Sequence, residues 1–225
     1  MKEVITQDSS ITFYNEEYGE TYHSVTGAVE EAYKKFAEPA LESVKGKKDI
    51  KILDVCFGLG YNSAAAIDEI LKQDISCDIT IVGLEKDEMI LNQIKHMKPM
   101  IISYPVIKDM VEHGYKYDRN GVKIDLMIGD ATETIKQATE EVKKSKVKFD
   151  IIFLDPFSPK KNPELWTQEF FKELRKLIKP DGILTTYSCA GQVRRNLKAA
   201  GFQVKDGPCV GRSSPSTIAL PDKNE

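Results

Sequence analysis

From residue 50 onward the chain alternates between two periods, and few folds accept such a pattern. Short apolar runs rich in β-branched residues fall at 50–55, 79–84, 124–128, 149–154 and 183–187. Between them apolar residues recur at helical spacing. Ala64, Ile67 and Leu71 form one set, and Ala131, Ile135, Ala138 and Val142 another. Trp166, Phe170, Leu174 and Leu177 form a third, with Pro163 in its first turn, and Val193, Leu197 and Ala200 the last. Near-continuous apolar strands separated by helices predict an α/β domain with a parallel sheet covered on both faces. Two closing runs, 202–205 and 217–220, have no helical period between them and predict an antiparallel hairpin at one edge. Residues 100–121 carry a turn signal at Asp118-Arg119-Asn120-Gly121 and no clear period.

Upstream of Lys45-Gly46-Lys47-Lys48 the pattern differs. Alternation in Ile11-Thr12-Phe13-Tyr14 and around Thr21-Tyr22-His23-Ser24 predicts a small β element. Val25, Ala28, Val29, Ala32 and Phe36 predict a helix that Pro39 kinks or ends. The chain thus divides into an appendage over 1–45 and the α/β domain over 46–225.

Composition narrows the partners. With 225 residues, 41% apolar and 30% charged, the chain is long enough to bury a core without covalent staples. Lys plus Arg number 32 against 35 Asp plus Glu, a net charge of −3, so a polyanion would have to be held by a local basic patch. The four cysteines form no C-x-x-C pair, which predicts reduced thiols and no metal. No run approaches ~18 apolar residues and no signal peptide is visible, so the expectation is a cytoplasmic protein without a membrane partner.

In an open parallel sheet, ligands bind beyond the carboxyl ends of the strands. The first strand runs into Asp54-Val55-Cys56-Phe57-Gly58-Leu59-Gly60-Tyr61-Asn62-Ser63, where glycines 58 and 60 let backbone approach a ligand at a helix start. Ser63 stands where a dinucleotide fingerprint wants glycine or alanine, which argues against NAD. The second strand ends at Glu85, suited to ribose hydroxyls, and the third at Gly129-Asp130, suited to an adenine amino group. Asp54, Glu85 and Asp130 together match a cationic sulfonium with an amino-acid tail, a ribose and an adenine. The pattern resembles the Rossmann-like class I S-adenosylmethionine-dependent methyltransferases, although their first motif has glycine where this chain has Cys56. That resemblance implies a mostly parallel seven-stranded sheet, with Asp54, Phe57, Gly58, Gly60, Asn62, Glu85, Asp130 and Asp155 toward the cofactor.

The fourth strand runs into Asp155-Pro156-Phe157-Ser158-Pro159-Lys160-Lys161-Asn162-Pro163-Glu164-Leu165-Trp166. Three prolines fix the path of this loop, and it offers an acceptor, an aromatic face and a rigid shelf. Amino-group methyltransferases need that combination to hold a planar base and aim an amine lone pair. Two basic clusters, Lys160 with Lys161 and Arg194 with Arg195 and Lys198, together with Arg212, would form a footprint for RNA; Glu16, Glu17, Glu20, Glu140 and Glu141 would face away.

Four segments carry a more specific resemblance: Tyr22-His23-Ser24 with Gly27, Glu30, Glu31, Ala32 and Tyr33; the loop 56–62; the run 153–166; and 187–197 with Ala200-Gly201-Phe202. On these the chain resembles the methyltransferase part of the MnmC family of tRNA-modifying proteins. The resemblance implies methylation of the primary amine of a 5-aminomethyl group on the wobble uridine of tRNA, with or without 2-thiolation. It implies Asp155 accepting a hydrogen bond from the amine, as orienting group or as base, and Phe157 packing on the flipped uracil. Tyr22 and His23 would line the same pocket. Bifunctional members also carry a flavin oxidase for which 225 residues leave no space, so a separate enzyme would supply the aminomethyl precursor. The rival readings are a methyltransferase acting on a small amine or a protein, an aminopropyltransferase of the same fold, which would want consecutive glycines in the first turn, and a non-catalytic RNA-binding module.

Overall fold

The computed structural model describes residues 1–211 and 213–222. The first strands, β1 (Lys2–Ile5), β2 (Ile11–Asn15) and β3 (Glu20–Thr21), pair in that order as a small antiparallel sheet. β1 escaped the sequence pattern because its residues are mostly exposed and no alternation marks it. Helix α1 (Ala28–Glu31) continues through a π-helical turn, Ala32–Ala37, into α2 (Glu38–Val44). Pro39 neither ends nor breaks this helix. The Glu38 amide reaches back five residues to the Tyr33 carbonyl, and the widened turn accommodates the proline, which sits in the first turn of α2. Ala28, Ala32, Phe36, Ala40 and Val44 are buried in the same core as Ile52 and Phe153, with the Phe36 and Phe153 rings edge to face at 6.0 Å. Residue 45 therefore marks a change of sequence pattern and not a gap in the core.

The remaining elements follow as β4 (Asp49–Val55), α3 (Tyr61–Gln73), β5 (Asp78–Glu85), α4 (Glu88–Ile94), α5 (Tyr104–Glu112), β6 (Lys116–Arg119), β7 (Val122–Ile128), α6 (Ala131–Ser145) and β8 (Phe149–Leu154). A 3-10 turn (Pro163–Trp166), α7 (Gln168–Leu177), β9 (Ile178–Thr186), α8 (Gly191–Ala199), β10 (Phe202–Asp206) and β11 (Thr217–Pro221) complete the chain. The large sheet has the order β10-β11-β9-β8-β4-β5-β7-β6. Its five central strands are parallel, while β6 and β11 run against their neighbours. Alternation along β4 feeds two cores: Ile50 and Ile52 face the side covered by α1–α5, and Leu53 and Val55 the side covered by α6–α8.

The α/β sheet with helices on both faces is as expected, with one strand more than seven. Lys116–Arg119 folds back on β7 across Asn120-Gly121, whose φ values of 53° and 76° suit a two-residue hairpin turn. The helix expected to open at Pro163 is two elements, because the Thr167 hydroxyl accepts from the Phe170 amide at 3.1 Å and starts α7 anew. The closing hairpin forms, but β11 lies between β9 and β10 and so joins the sheet interior.

Candidate active site

The carboxyl ends of β4, β5, β7 and β8 border a cavity of about 380 Å³. After β4 the chain turns sharply through Cys56, Gly58 and Gly60, all at positive φ. A side chain at Gly60 would put its first carbon 2.7 Å from the Phe57 ring and from Ile107, so only glycine starts α3 here. Cys56 adopts φ 66° without being glycine. Gly58 faces the cavity, and its amide donates to Glu85 Oε2 at 2.8 Å. Glu85 Oε1 also accepts from the Lys86 and Asp87 amides at 2.9 and 2.8 Å, so this strand-end acid ties the glycine turn to β5. Asp130 caps α6 through Oδ1, which accepts from the Thr132 amide at 2.8 Å and holds its carboxyl below the usual range together with the Thr132 hydroxyl; Oδ2 makes no bond among the described residues.

Of the residues expected at the cofactor, Gly58, Glu85, Asp130 and Asp155 line this cavity. Asp54 and Asn62 do not reach its surface. Asp54 is fully buried and accepts from the Ser63 hydroxyl at 2.6 Å, and Asn62 donates Nδ2 to Asp155 Oδ2 at 2.9 Å. Among the described residues Asp54 Oδ1 and Asn62 Oδ1 have no hydrogen-bond partner, an unusual state for buried acceptors. Phe57 and Gly60 depart from expectation: the Phe57 ring is buried in the core beneath the turn, against the bare backbone of Gly60 and Gly83, and neither lines the cavity.

Asp155, Tyr22, His23 and Phe157 also line a second cavity of about 410 Å³. The loop that holds Asp155 and Phe157 is braced by Tyr187 Oη donating to Pro156 O and Trp166 Nε1 donating to Phe157 O, both at 2.9 Å. One face of Phe157 is covered by Tyr18, stacked at 4.4 Å, and Tyr22 meets it edge-on at 5.0 Å. A base packing on Phe157 would therefore take the uncovered side or displace Tyr18. His23 is buried, with Nδ1 3.3 Å from Thr12 Oγ1 and its ring 4.9 Å from Tyr61; burial pushes it down to about 4 and leaves the imidazole neutral. Tyr22 donates to Asp87, which caps α4, and accepts from Asn15 Nδ2 at 3.0 Å.

The acidic residues expected to face away do not all do so. Glu16 and Glu17 line the first cavity, and Glu20 accepts from the Ser158 amide at 2.9 Å. Among the basic candidates, Arg194 is committed internally to Asp206 at 2.6 Å, Thr217 Oγ1 at 3.0 Å and Ser216 O at 3.1 Å, which fastens α8 to the last hairpin. Lys160, Lys161, Arg195 and Lys198 are exposed; Arg212 lies outside the described residues. Sequence patterns also missed Tyr18, Asp87, Glu31 and Lys35. The signal for the last two was available: a Glu and a Lys four apart fall within the apolar stripe of α1 and the π turn.

The electrostatics favour a cation. Burial pushes Asp54 up to about 7 and raises Glu85, while burial followed by the Glu31 carboxylate pushes Asp155 well above the usual range. At the opposite end of the sheet the fully buried Asp150 is paired with Lys47 and Lys179, each at 2.7 Å. Among the described residues no such lysine pairs with Asp54 or Glu85, and Lys86 is the only lysine or arginine of the first cavity. The acidic strand ends Glu85 and Asp130 and an apolar wall at Leu84, Met89 and Ala131 fit a sulfonium, a ribose and an adenine. Among the described residues no cluster of His, Cys, Asp or Glu could hold a metal ion, and no helix is long and apolar enough to cross a membrane.

The chain belongs to a family of S-adenosyl-L-methionine-dependent methyltransferases, whose model matches residues 93–222. Within that class it is similar to MnmC2 from Aquifex aeolicus, with 34% identity and a TM-score of 0.85 over 97% of this chain and 70% of that one. It is 32% identical to an uncharacterized protein of Methanocaldococcus jannaschii over 98% of this chain and 60% of that protein. Against the tRNA 5-methylaminomethyl-2-thiouridine biosynthesis bifunctional protein MnmC of Ralstonia nicotianae it is 30% identical over 92% of this chain, which spans 33% of that protein.

Proposed function

We propose that the protein methylates the primary amine of a 5-aminomethyl group on the wobble uridine of tRNA, giving the methylaminomethyl form. S-adenosyl-L-methionine, when bound, supplies an electrophilic methyl group on a sulfonium. Glu85, Asp130 and the Gly58 turn would hold it in the first cavity, with Asn62 behind them steadying Asp155. The observation that carries the reading is Asp155, which borders both cavities and so stands where a methyl donor on one side can meet an amine on the other.

Transfer forms a nitrogen–carbon bond as the sulfur–carbon bond breaks, and the amine must be neutral to offer its lone pair. An ordinary carboxylate is a poor base for an alkylammonium. Asp155 is not ordinary, because burial and the nearby Glu31 raise its proton affinity. It can therefore take the ammonium proton, orient the nitrogen and leave the rest to alignment. Exposed Lys160 and Lys161 beside the loop, with Arg195 and Lys198 on α8, would hold the tRNA backbone, and neutralising them should flatten the salt dependence of binding. The aminomethyl precursor would come from a separate enzyme.

The test is transfer of labelled methyl from S-adenosyl-L-methionine to tRNA carrying the 5-aminomethyl uridine, followed by nucleoside mass spectrometry. A new methylaminomethyl uridine is expected. No transfer despite measurable cofactor binding would overturn the substrate and redirect the search to small amines or proteins.

A further inference from the structure

Glu31 and Lys35 form a buried ion pair at 2.6 Å, with Lys35 only 3% exposed. Glu31 spends its second carboxylate oxygen on the Ser24 amide at 3.1 Å. Lys35 has no other hydrogen-bond partner among the described residues, so two of its three ammonium donors are unspent. Burying such a group without further partners is costly, and an apolar residue would pack the helix face more cheaply. Both residues border the second cavity together with Asp155, and both act on the Asp155 carboxyl electrostatically. The π-helical turn begins between them, at Ala32, and includes Lys35.

We infer that Lys35 reads the base: its free ammonium donors hydrogen-bond the 4-oxo group of a pyrimidine whose 5-aminomethyl nitrogen lies at Asp155, with Glu31 as the positioning residue that aims Lys35. The inference rests on the proposed substrate and goes beyond it in assigning base selection. On a pyrimidine ring the 4-oxygen adjoins the carbon that bears the aminomethyl group, so an amine held at Asp155 brings that oxygen to the same end of the cavity. A cytosine in the same pose presents an amino group to an ammonium, two donors facing each other, and loses the bond while burying both groups unpaired. The cavity would thus accept uracil and reject cytosine through a residue that takes no part in methyl transfer itself.

The test compares anticodon stem-loops carrying 5-aminomethyluridine or 5-aminomethylcytidine at the wobble position, bound to the protein saturated with S-adenosylhomocysteine and read by fluorescence anisotropy. Wild type should bind the uridine form at least tenfold more tightly. Lys35→Met should bring the two affinities within threefold of each other while S-adenosylhomocysteine affinity is unchanged. Equal binding of both forms by wild type, binding of neither, or a preference retained in Lys35→Met would overturn the inference. If Lys35→Met no longer binds S-adenosylhomocysteine, Lys35→Gln is read by the same ratio, where a severalfold reduction is expected and an unchanged preference is contrary. Methyl transfer by wild type to the uridine stem-loop separates the two readings: transfer without base preference removes only the base readout, and preference without transfer removes only the reaction.

Discussion

The two cavities that meet at Asp155 are walled by different kinds of structure. The first has its floor on strand ends of one parallel sheet, fixed by ladder hydrogen bonds and by a core on each face, and shares with the second the N-terminal residues Tyr14, Tyr22 and His23. The second is closed by residues 14–35, fastened to the loops of that sheet by side chains, Tyr22 to Asp87 and Glu20 to Ser158. A site built on strand ends suits a ligand shared by a whole family. A wall fastened by side chains can be altered residue by residue without disturbing the sheet, and that is where substrate choice belongs.

Two buried groups near the site, Asp54 and His23, should titrate in opposite directions. Asp54, behind the first cavity, has its carboxyl raised from 3.8 to about 7. The folded state keeps a proton that the unfolded chain gives up, so its contribution is fully present below about pH 4 and lost as pH rises through 7. Replacing it with Asn should therefore raise stability relative to wild type by roughly 4 kcal/mol between pH 4 and 7, as measured by urea unfolding. A flat difference would mean that Asp54 is not held protonated. His23, on the shared wall, is lowered from 6.5 to about 4. Its contribution is present above 6.5 and lost as pH falls toward 4, so wild type should lose about 3 kcal/mol relative to His23→Asn over that interval.

Smaller effects test the joint and the turn. Tyr22→Phe removes the bonds to Asp87 and Asn15 and should cost about 1 kcal/mol, with faster hydrogen exchange in the N-terminal sheet and unchanged exchange in β4 and β5. Equal acceleration in both would erase the distinction between the two walls. Cys56→Gly should shift stability by less than about 1 kcal/mol, because relief of the left-handed backbone is offset by the greater freedom of glycine when unfolded. A cofactor affinity lowered more than tenfold would instead assign the thiol a contact with the cofactor.

The two regions were also unequally legible. Strand ends announce themselves, because a continuous apolar run stopped by an acid has one reading in a parallel sheet, and Glu85, Asp130 and Asp155 lie where that reading puts them. Phe57 misled because its neighbours turn toward the cavity while its own ring fills the space that Gly60 and Gly83 leave bare. Arg194 looked like open surface charge: the closing hairpin was readable, but that α8 sets Arg194 against Asp206 and Thr217 is a tertiary fact. Glu31 and Lys35 left a signal, a Glu and a Lys four apart beside an apolar stripe, but that they border one cavity with Asp155 is a tertiary fact. Helices α4 and α5 were illegible because they are short, seven and nine residues, and break at the loop before Tyr104.

The most direct measurement takes Asp155→Asn and reads cofactor affinity by calorimetry and single-turnover methyl transfer to aminomethyl-uridine tRNA on the same preparation. If Asp155 is the point where donor and amine meet, transfer falls about 10³-fold, roughly 4 kcal/mol of barrier, while cofactor affinity changes by less than about tenfold. Transfer within tenfold of wild type, with cofactor binding intact, would contradict the account.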